Sequence, residues 1–288
     1  MNATLRYQTR AYKTSDGFIL VAVLWILSAL VALVSIYAIY VSNTAMALSV
    51  SDEAVMAEGL ISAGVELAVY KMIAAPKGAI PTRGQVVFRM GKAGVTADYR
   101  AETARIDLNY APKELLAGLF VALGEQPAQA KQYVERIDGW RTPPKSEADD
   151  SEASLYRDAG LGYAPRGAAF AHVAELCLVL GLPPALVERA LPHLTVFSGR
   201  AEINPAIAAR EVVAALPDKQ TATPGTTTEA GDSVRITILI EFDNGRRRAA
   251  EVVVLMRGAG AEPYRVLSWV DDIEIPPAGQ RQRAGLRH

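Results

Sequence analysis

Residues 18–41 read FILVAVLWILSALVALVSIYAIYV, with no charged side chain and only Ser28 and Ser35 as small polar interruptions. At about 1.5 Å rise per residue the stretch makes a helix of about 36 Å, enough to cross a hydrocarbon core of about 30 Å with slight tilt. Peptide groups in lipid find partners only within their own segment, so the stretch is expected to be helical. The rest of the chain is then read as cargo attached to one end of a membrane helix.

The flanks set its direction. Residues 1–17 carry Arg6, Arg10 and Lys13 against Asp16 alone, whereas from Val41 to Val69 there are only acids: Asp52, Glu53, Glu58 and Glu66. Cationic flanks stay on the cytoplasmic side, which places the N-terminus inside and the remainder outside. The apolar run is too long for the core of an ordinary cleaved signal peptide. Beyond Val41 the chain is rich in helix formers and has no proline until Pro76. Ala54, Ala57, Leu60, Ile61, Ala63, Gly64, Leu67 and Ala68 recur at helical spacing, so an amphipathic extension is expected over 42–75. One helix from Phe18 to about Ile73 would run about 80 Å.

Past Pro76 the period changes to two. Gln85–Met90 and Val95–Arg105 alternate polar and apolar around Gly91-Lys92-Ala93-Gly94, which predicts a hairpin. From Ile106 to Leu216 the pattern is helical, with two similar passages, IDLNYAPKELLAGL (106–119) and INPAIAAREVVAAL (203–216). Asn109 is expected to cap the first of these helices, with Pro112 in its first turn. Gln129–Trp140 and Leu176–Leu191 predict further helices, the latter broken at Gly181-Leu182-Pro183-Pro184. After the polar, Thr-rich segment 218–233, Val234–Phe242 and Arg248–Arg257 flank Asp243-Asn244-Gly245 as a second hairpin. Tyr264–Val270 adds a last strand, and a Pro/Gly/Arg-rich tail follows over 272–288.

Composition narrows the function classes. The formal net charge is −1, and residues 105–216 hold more acids than bases. LVLGLPPALVERAL resembles a helix-hairpin-helix, but such a charge balance lacks the cationic footprint of nucleic-acid binding. Cys177 is the one cysteine; it excludes an internal disulfide and, lying in an apolar run, is expected to be buried. His172, His193 and His288 have no metal-ligand spacing, and no phosphate-binding glycine loop or nucleophile elbow is present. Asp107, Asp138 and Glu175 are read as caps and surface charges, so no enzyme is expected. The acidic stretch SEADDSEAS (146–154) offers Glu147, Asp149, Asp150 and Glu152 as candidate calcium ligands, with a solvated loop as the plainer reading.

A basic leader, Gly17, Phe18 and a helical apolar run resemble the class III signal of type IV pilins and pseudopilins. The resemblance implies cleavage between Gly17 and Phe18 by a prepilin peptidase, followed by N-methylation of Phe18. Most such proteins have Glu at the fifth mature position, where this chain has Ala22. VLW at 23–25, IDLN-x-AP-x-EL at 106–115 and LTVFSG-R-x-EIN at 194–204 together resemble the type II secretion minor pseudopilin K family, in which the fifth mature residue is characteristically not Glu. The resemblance covers Gly17 to about Asp271.

It implies an α+β fold: a pilin-like long N-terminal helix and an antiparallel sheet, with a large all-α (SAM-like, helix-hairpin-helix-like) domain inserted between strands. The expected organisation is leader 1–17, membrane helix 18–41, periplasmic extension 42–75, first sheet segment 76–105, helical domain 106–217, linker 218–233, second sheet segment 234–271 and tail 272–288. It further implies a single-pass protein of the bacterial inner membrane with a periplasmic head. That head would cap a short fibre of minor and major pseudopilins during export of folded proteins. Some family members bind calcium in the helical domain. The alternative reading of the residues is an unprocessed, signal-anchored periplasmic binding or adaptor protein.

Overall fold

The computed structural model describes residues 16–75, 80–144, 151–217, 233–256 and 262–273. The chain divides into two compact units, Met1–Glu58 and Gly59–His288. The described residues of the first are the leading part of helix α1 (Asp16–Ile73). Its apolar side chains from Phe18 to Val41 lie bare, Phe18 at 79% and Trp25 at 75% exposure, as expected of a surface made for lipid.

The second unit begins with the last turns of α1. Leu60, Ile61, Val65, Ala68, Val69 and Met72 are buried there, a stripe that repeats every three to four residues. The buried face is turned slightly from the expected one. Ala63 is only half-buried and Leu67 is exposed, while Val65 and Val69 take the inner positions. At 100° per residue, a face centred on 61, 65, 68 and 72 leaves 63 and 67 on its flank. A Cβ at Gly64 would lie 3.4 Å from Ile238, so glycine lets this part of the helix settle directly on the sheet.

That sheet has five antiparallel strands in the order β1 (Arg83–Met90), β2 (Ala93–Ala101), β5 (Ser233–Phe242), β6 (Arg247–Leu255), β7 (Arg265–Asp271). Along β2 the buried residues are Ala93, Val95, Ala97, Tyr99 and Ala101, and along β5 they include Ile236, Ile238 and Ile240. Every second side chain thus enters the core. The first hairpin turns on Gly91-Lys92 alone, tighter than the predicted four-residue loop, because Gly91 adopts φ 58° and lets the ladder close at Met90↔Ala93. The second turns at Asp243–Arg246, with Gly245 at φ 81° and Phe242 N–H donating to Arg246 O at 2.9 Å.

β2 ends at Ala101 rather than running on to Arg105, because Glu102–Ala104 form a buried 3-10 turn. From there the chain leaves the sheet and returns at Ser233 beside the strand it left. The excursion is the inserted helical domain. It contains α2 (Lys113–Ala122), α3 (Pro127–Arg141), α4 (Ser151–Asp158), a 3-10 helix at Val173–Leu178, α5 (Pro184–Ala190) and α6 (Arg210–Ala214). It is not wholly α: β3 (Ile106–Asp107) and β4 (Leu194–Thr195) pair in parallel.

Leu115, Leu116, Leu119, Phe120, Ile137, Leu176 and Leu186 are almost fully buried in its core, each contributing about 1.5–3 kcal/mol. Trp140 packs on Tyr156, Tyr163 and Phe170 with ring centroids 6.0, 6.5 and 6.2 Å away. Gly118 admits the α6 segment, since a Cβ there would sit 2.3 Å from Ala215 O. Gly118→Ala is therefore expected to cost about 1–3 kcal/mol, measured by urea unfolding.

Two expectations are corrected. Cys177 is exposed, because the 3-10 helix turns Leu176 inward and its successor out. Asn109 caps no helix: α2 has Pro112 at its N-cap position with no side-chain cap. Instead the Asn109 amide binds the Phe170 backbone in both directions, Nδ2–H to O at 3.0 Å and N–H to Oδ1 at 2.7 Å.

Candidate functional site

The membrane-type surface is the first candidate. Phe18–Thr44 is, among the described residues, one helix long and apolar enough to cross a bilayer. Its hydroxyl groups bond within the helix, Ser35 Oγ–H to Val31 O at 2.9 Å and Thr44 Oγ1–H to Tyr40 O at 2.8 Å, which removes the cost of a bare hydroxyl in lipid. Gly17 and Phe18 lie in the first turns of α1 and Ala22 one turn further on. Such a helix packs side by side with other apolar helices through close van der Waals contact.

In the helical domain the structure brings together the two passages IDLN and LTVFSG. β3 lies beside β4 in register Ile106↔Leu194 and Asp107↔Thr195, and Leu108 N–H donates to Thr195 O at 2.9 Å. Asp107, only 2% exposed, accepts from Asn109 N–H at 2.8 Å, Ser198 Oγ–H at 2.9 Å and Gly199 N–H at 3.0 Å. A buried carboxylate needs such donors. Arg141 Nη1–H also reaches Leu108 O at 2.5 Å. Further along, Asn204 N–H donates to Thr103 O at 2.7 Å, which seats the second repeat against the 3-10 turn.

The three carboxylates considered for chemistry do not converge. Asp107 is committed as above. Asp138 meets Lys113 at 3.0 Å and Arg141 at 3.1 Å; burial works against its charge, but these cations hold its pKa below the ordinary value. Glu175 closes a capping box with His172 and pairs with Arg166 at 2.9 Å. Each has a structural task. Of the acidic set, Glu147, Asp149 and Asp150 lie outside the described residues. Glu152 is on α4 and pairs with Arg136 at 3.0 Å, an approach that Gly139 permits, so this carboxylate is committed to a cation of the protein. Among the described residues no three His, Cys, Asp or Glu side chains form a metal-ligand group.

Sequence reading missed the polar lock where the insertion leaves the sheet. Glu102, 1% exposed, accepts from Arg235 Nε at 2.6 Å and Nη2 at 3.0 Å, and from the Thr195 hydroxyl. Arg235 also pairs with Glu251. Burial opposes the Glu102 charge, yet Arg235 holds its pKa below the usual range. One lock thus joins the 3-10 turn, β4, β5 and β6. The available signal was an arginine among the aliphatic residues of the strand SVRITILIEF. Farther off, Tyr264 O–H donates to Glu66 at 2.6 Å; burial and that carboxylate push the phenol up to about 12.

Residues 99–199 match the family model described as type II secretion system (T2SS), protein K. No curated protein matches the chain. A chain in the crystal structure of the GspK-GspI-GspJ complex from the enterotoxigenic Escherichia coli type 2 secretion system is similar in fold. Its TM-score is 0.57 at 13% identity, over 78% of this chain and 98% of that one. The matched span includes both passages joined at Asp107.

Proposed function

We propose that this chain is a type II secretion component of the protein K kind, a minor pseudopilin capping the tip of a short periplasmic fibre. The observation that carries the reading is the bulky helical domain inserted between neighbouring strands of a pilin-like sheet. A head of that size leaves no room for a further subunit to stack above it, so it limits fibre growth. The similar Escherichia coli chain was solved in a GspK-GspI-GspJ complex. By that likeness its partners are other minor pseudopilins, with the major pseudopilin below them in the fibre.

The leader 1–17 is removed after Gly17 by a prepilin peptidase, Phe18 is N-methylated, and α1 stays in the inner membrane with the head in the periplasm. Ala22 fits the tip for a physical reason. A Glu in an apolar helix bundle needs a cationic neighbour, and a terminal subunit has no newly arriving N-terminus to neutralise. The role is one of assembly and not of catalysis, since the polar side chains described above are occupied in holding the fold.

Intact-mass and N-terminal analysis of the full chain co-expressed with an active prepilin peptidase tests the route. The expected product begins at N-methylated Phe18; a chain still beginning at Met1 overturns processing and favours the unprocessed anchor. Ala22→Glu tests the tip position. Altered fibre length with reduced secretion is expected, and normal fibres with full secretion would sink it.

A further inference from the structure

The face of the sheet that carries Arg235 holds a row of like charges. Register places Arg83 opposite Arg100 and Arg100 opposite Arg235, three guanidinium groups side by side on adjacent strands. Such a row costs stability unless anions offset it. Glu102 and Glu251 are spent on Arg235, and Asp98, one row along, accepts from Gln85 at 2.9 Å. Arg105 enters from the turn beneath, where Arg100 and Arg235 repel it and Glu102 and Glu251 attract it. Among the described residues, no acceptor hydrogen-bonds to the guanidinium group of Arg83, Arg100 or Arg105; Arg105 donates through its main chain alone, to Glu102 O at 3.0 Å.

These arginines border a cleft of about 730 Å³ whose other wall is supplied by the helical domain through Pro192, His193 and Val212. His193 has its Nδ1 buried with no partner. Clefts of this size hold small organic ligands or short peptide segments.

We propose that this cleft binds an acidic peptide segment of a partner protein, its carboxylates taken by the forks of Arg100 and Arg105. Guanidinium groups suit carboxylates because two parallel N–H donors meet two oxygens. A peptide fits better than a lone anion. β1 is the edge strand of the sheet and forms the cleft's rim through Arg83 and Gly84, so an extended segment meets main-chain groups as well as charges. None of its lining residues belongs to the membrane-type stretch, and the proposal does not depend on tip position.

The test is calorimetric titration of the full chain, in a non-ionic detergent, with an acetylated and amidated Glu-Ala-Asp-Glu peptide. Controls are its Gln-Ala-Asn-Gln analogue and inorganic phosphate. Saturable binding of the acidic peptide alone is expected, weakened about tenfold by Arg105→Gln and progressively by salt. Arg100→Gln, at an exposed position, gives the same loss where Arg105→Gln unfolds. Imidazole NMR adds a local readout. Burial holds the His193 pKa down, with Arg105 acting the same way and Glu211 opposing, and a carboxylate bound nearby moves it up. Equal binding of the two peptides, no binding, or full affinity in the arginine variants would overturn the proposal. Preference for phosphate over the acidic peptide would assign the cleft to phosphate instead.

Discussion

Replacing Arg235 with leucine lowers the stability of the second unit by about 3–5 kcal/mol at neutral pH, the cost of stranding one partner of a buried ion pair. Glu102 is 1% exposed, and without Arg235 it keeps only the Thr195 hydroxyl and the distant charge of Arg105. The acid limb of the stability curve makes the cause visible. In the parent protein the folded-state pKa of Glu102 is depressed. Its contribution is therefore complete above the unfolded carboxylate value, about 4.3, and is lost as pH falls through the lower folded value. In the leucine variant burial is opposed only by Arg105 and the Thr195 hydroxyl, and the pKa is expected to rise. Protonation then relieves the stranded charge, and the deficit shrinks as the solution is made acidic. Urea unfolding followed by circular dichroism from pH 7 to pH 4 measures both. A deficit below about 1 kcal/mol, or one independent of pH, would mean the pair behaves as a surface pair. Glu102→Gln with Arg235→Leu should recover part of the loss, because the stranded charge is gone.

The elements whose partners are local were legible in the sequence. Phe18–Val41 announced a membrane-type helix by length and apolar content, and the hairpins by glycine between alternating runs. Both signals lie within a few residues of the structure they specify. What the sequence concealed depends on distant residues meeting. Asn109 has the chemistry of a helix cap, but the Phe170 backbone, 61 residues on, claims its amide. Cys177 lies in an apolar run, yet a 3-10 helix replaces the expected α-helix and turns it outward. The arginine row required strand register, which a one-residue slip would abolish. The two passages that carried the family resemblance, around Asp107 and Ser198, were each visible. Their meeting was not, since parallel pairing across some ninety residues leaves no local pattern.

Removing the Asp107 carboxylate tests whether that meeting holds the inserted domain together. Asp107→Ala deletes the acceptor for Asn109 N–H, Ser198 Oγ–H and Gly199 N–H at once, leaving donors stranded in a site only 2% exposed. Hydrogen bonds to a charged acceptor contribute about 1.5–3 kcal/mol each, and the three are not additive, so a loss of about 3–4 kcal/mol is expected. Ser198→Ala removes one donor and leaves the carboxylate with two, and should cost about 1–2 kcal/mol. Asp107→Asn is the sharper variant. One oxygen still serves Asn109, but an amide nitrogen then faces Gly199 N–H, two donors without an acceptor, so nearly conserved shape does not rescue stability. Amide exchange localises the effect. Asn109 and Gly199 should lose protection in both Asp107 variants while the β2–β5 ladder, held by its own pairing from Ala93↔Phe242 to Ala101↔Val234, keeps its own. Loss of protection throughout the sheet would instead make Asp107 part of one cooperative core. The insertion would then be a structural extension of the sheet, no longer a domain mounted on it.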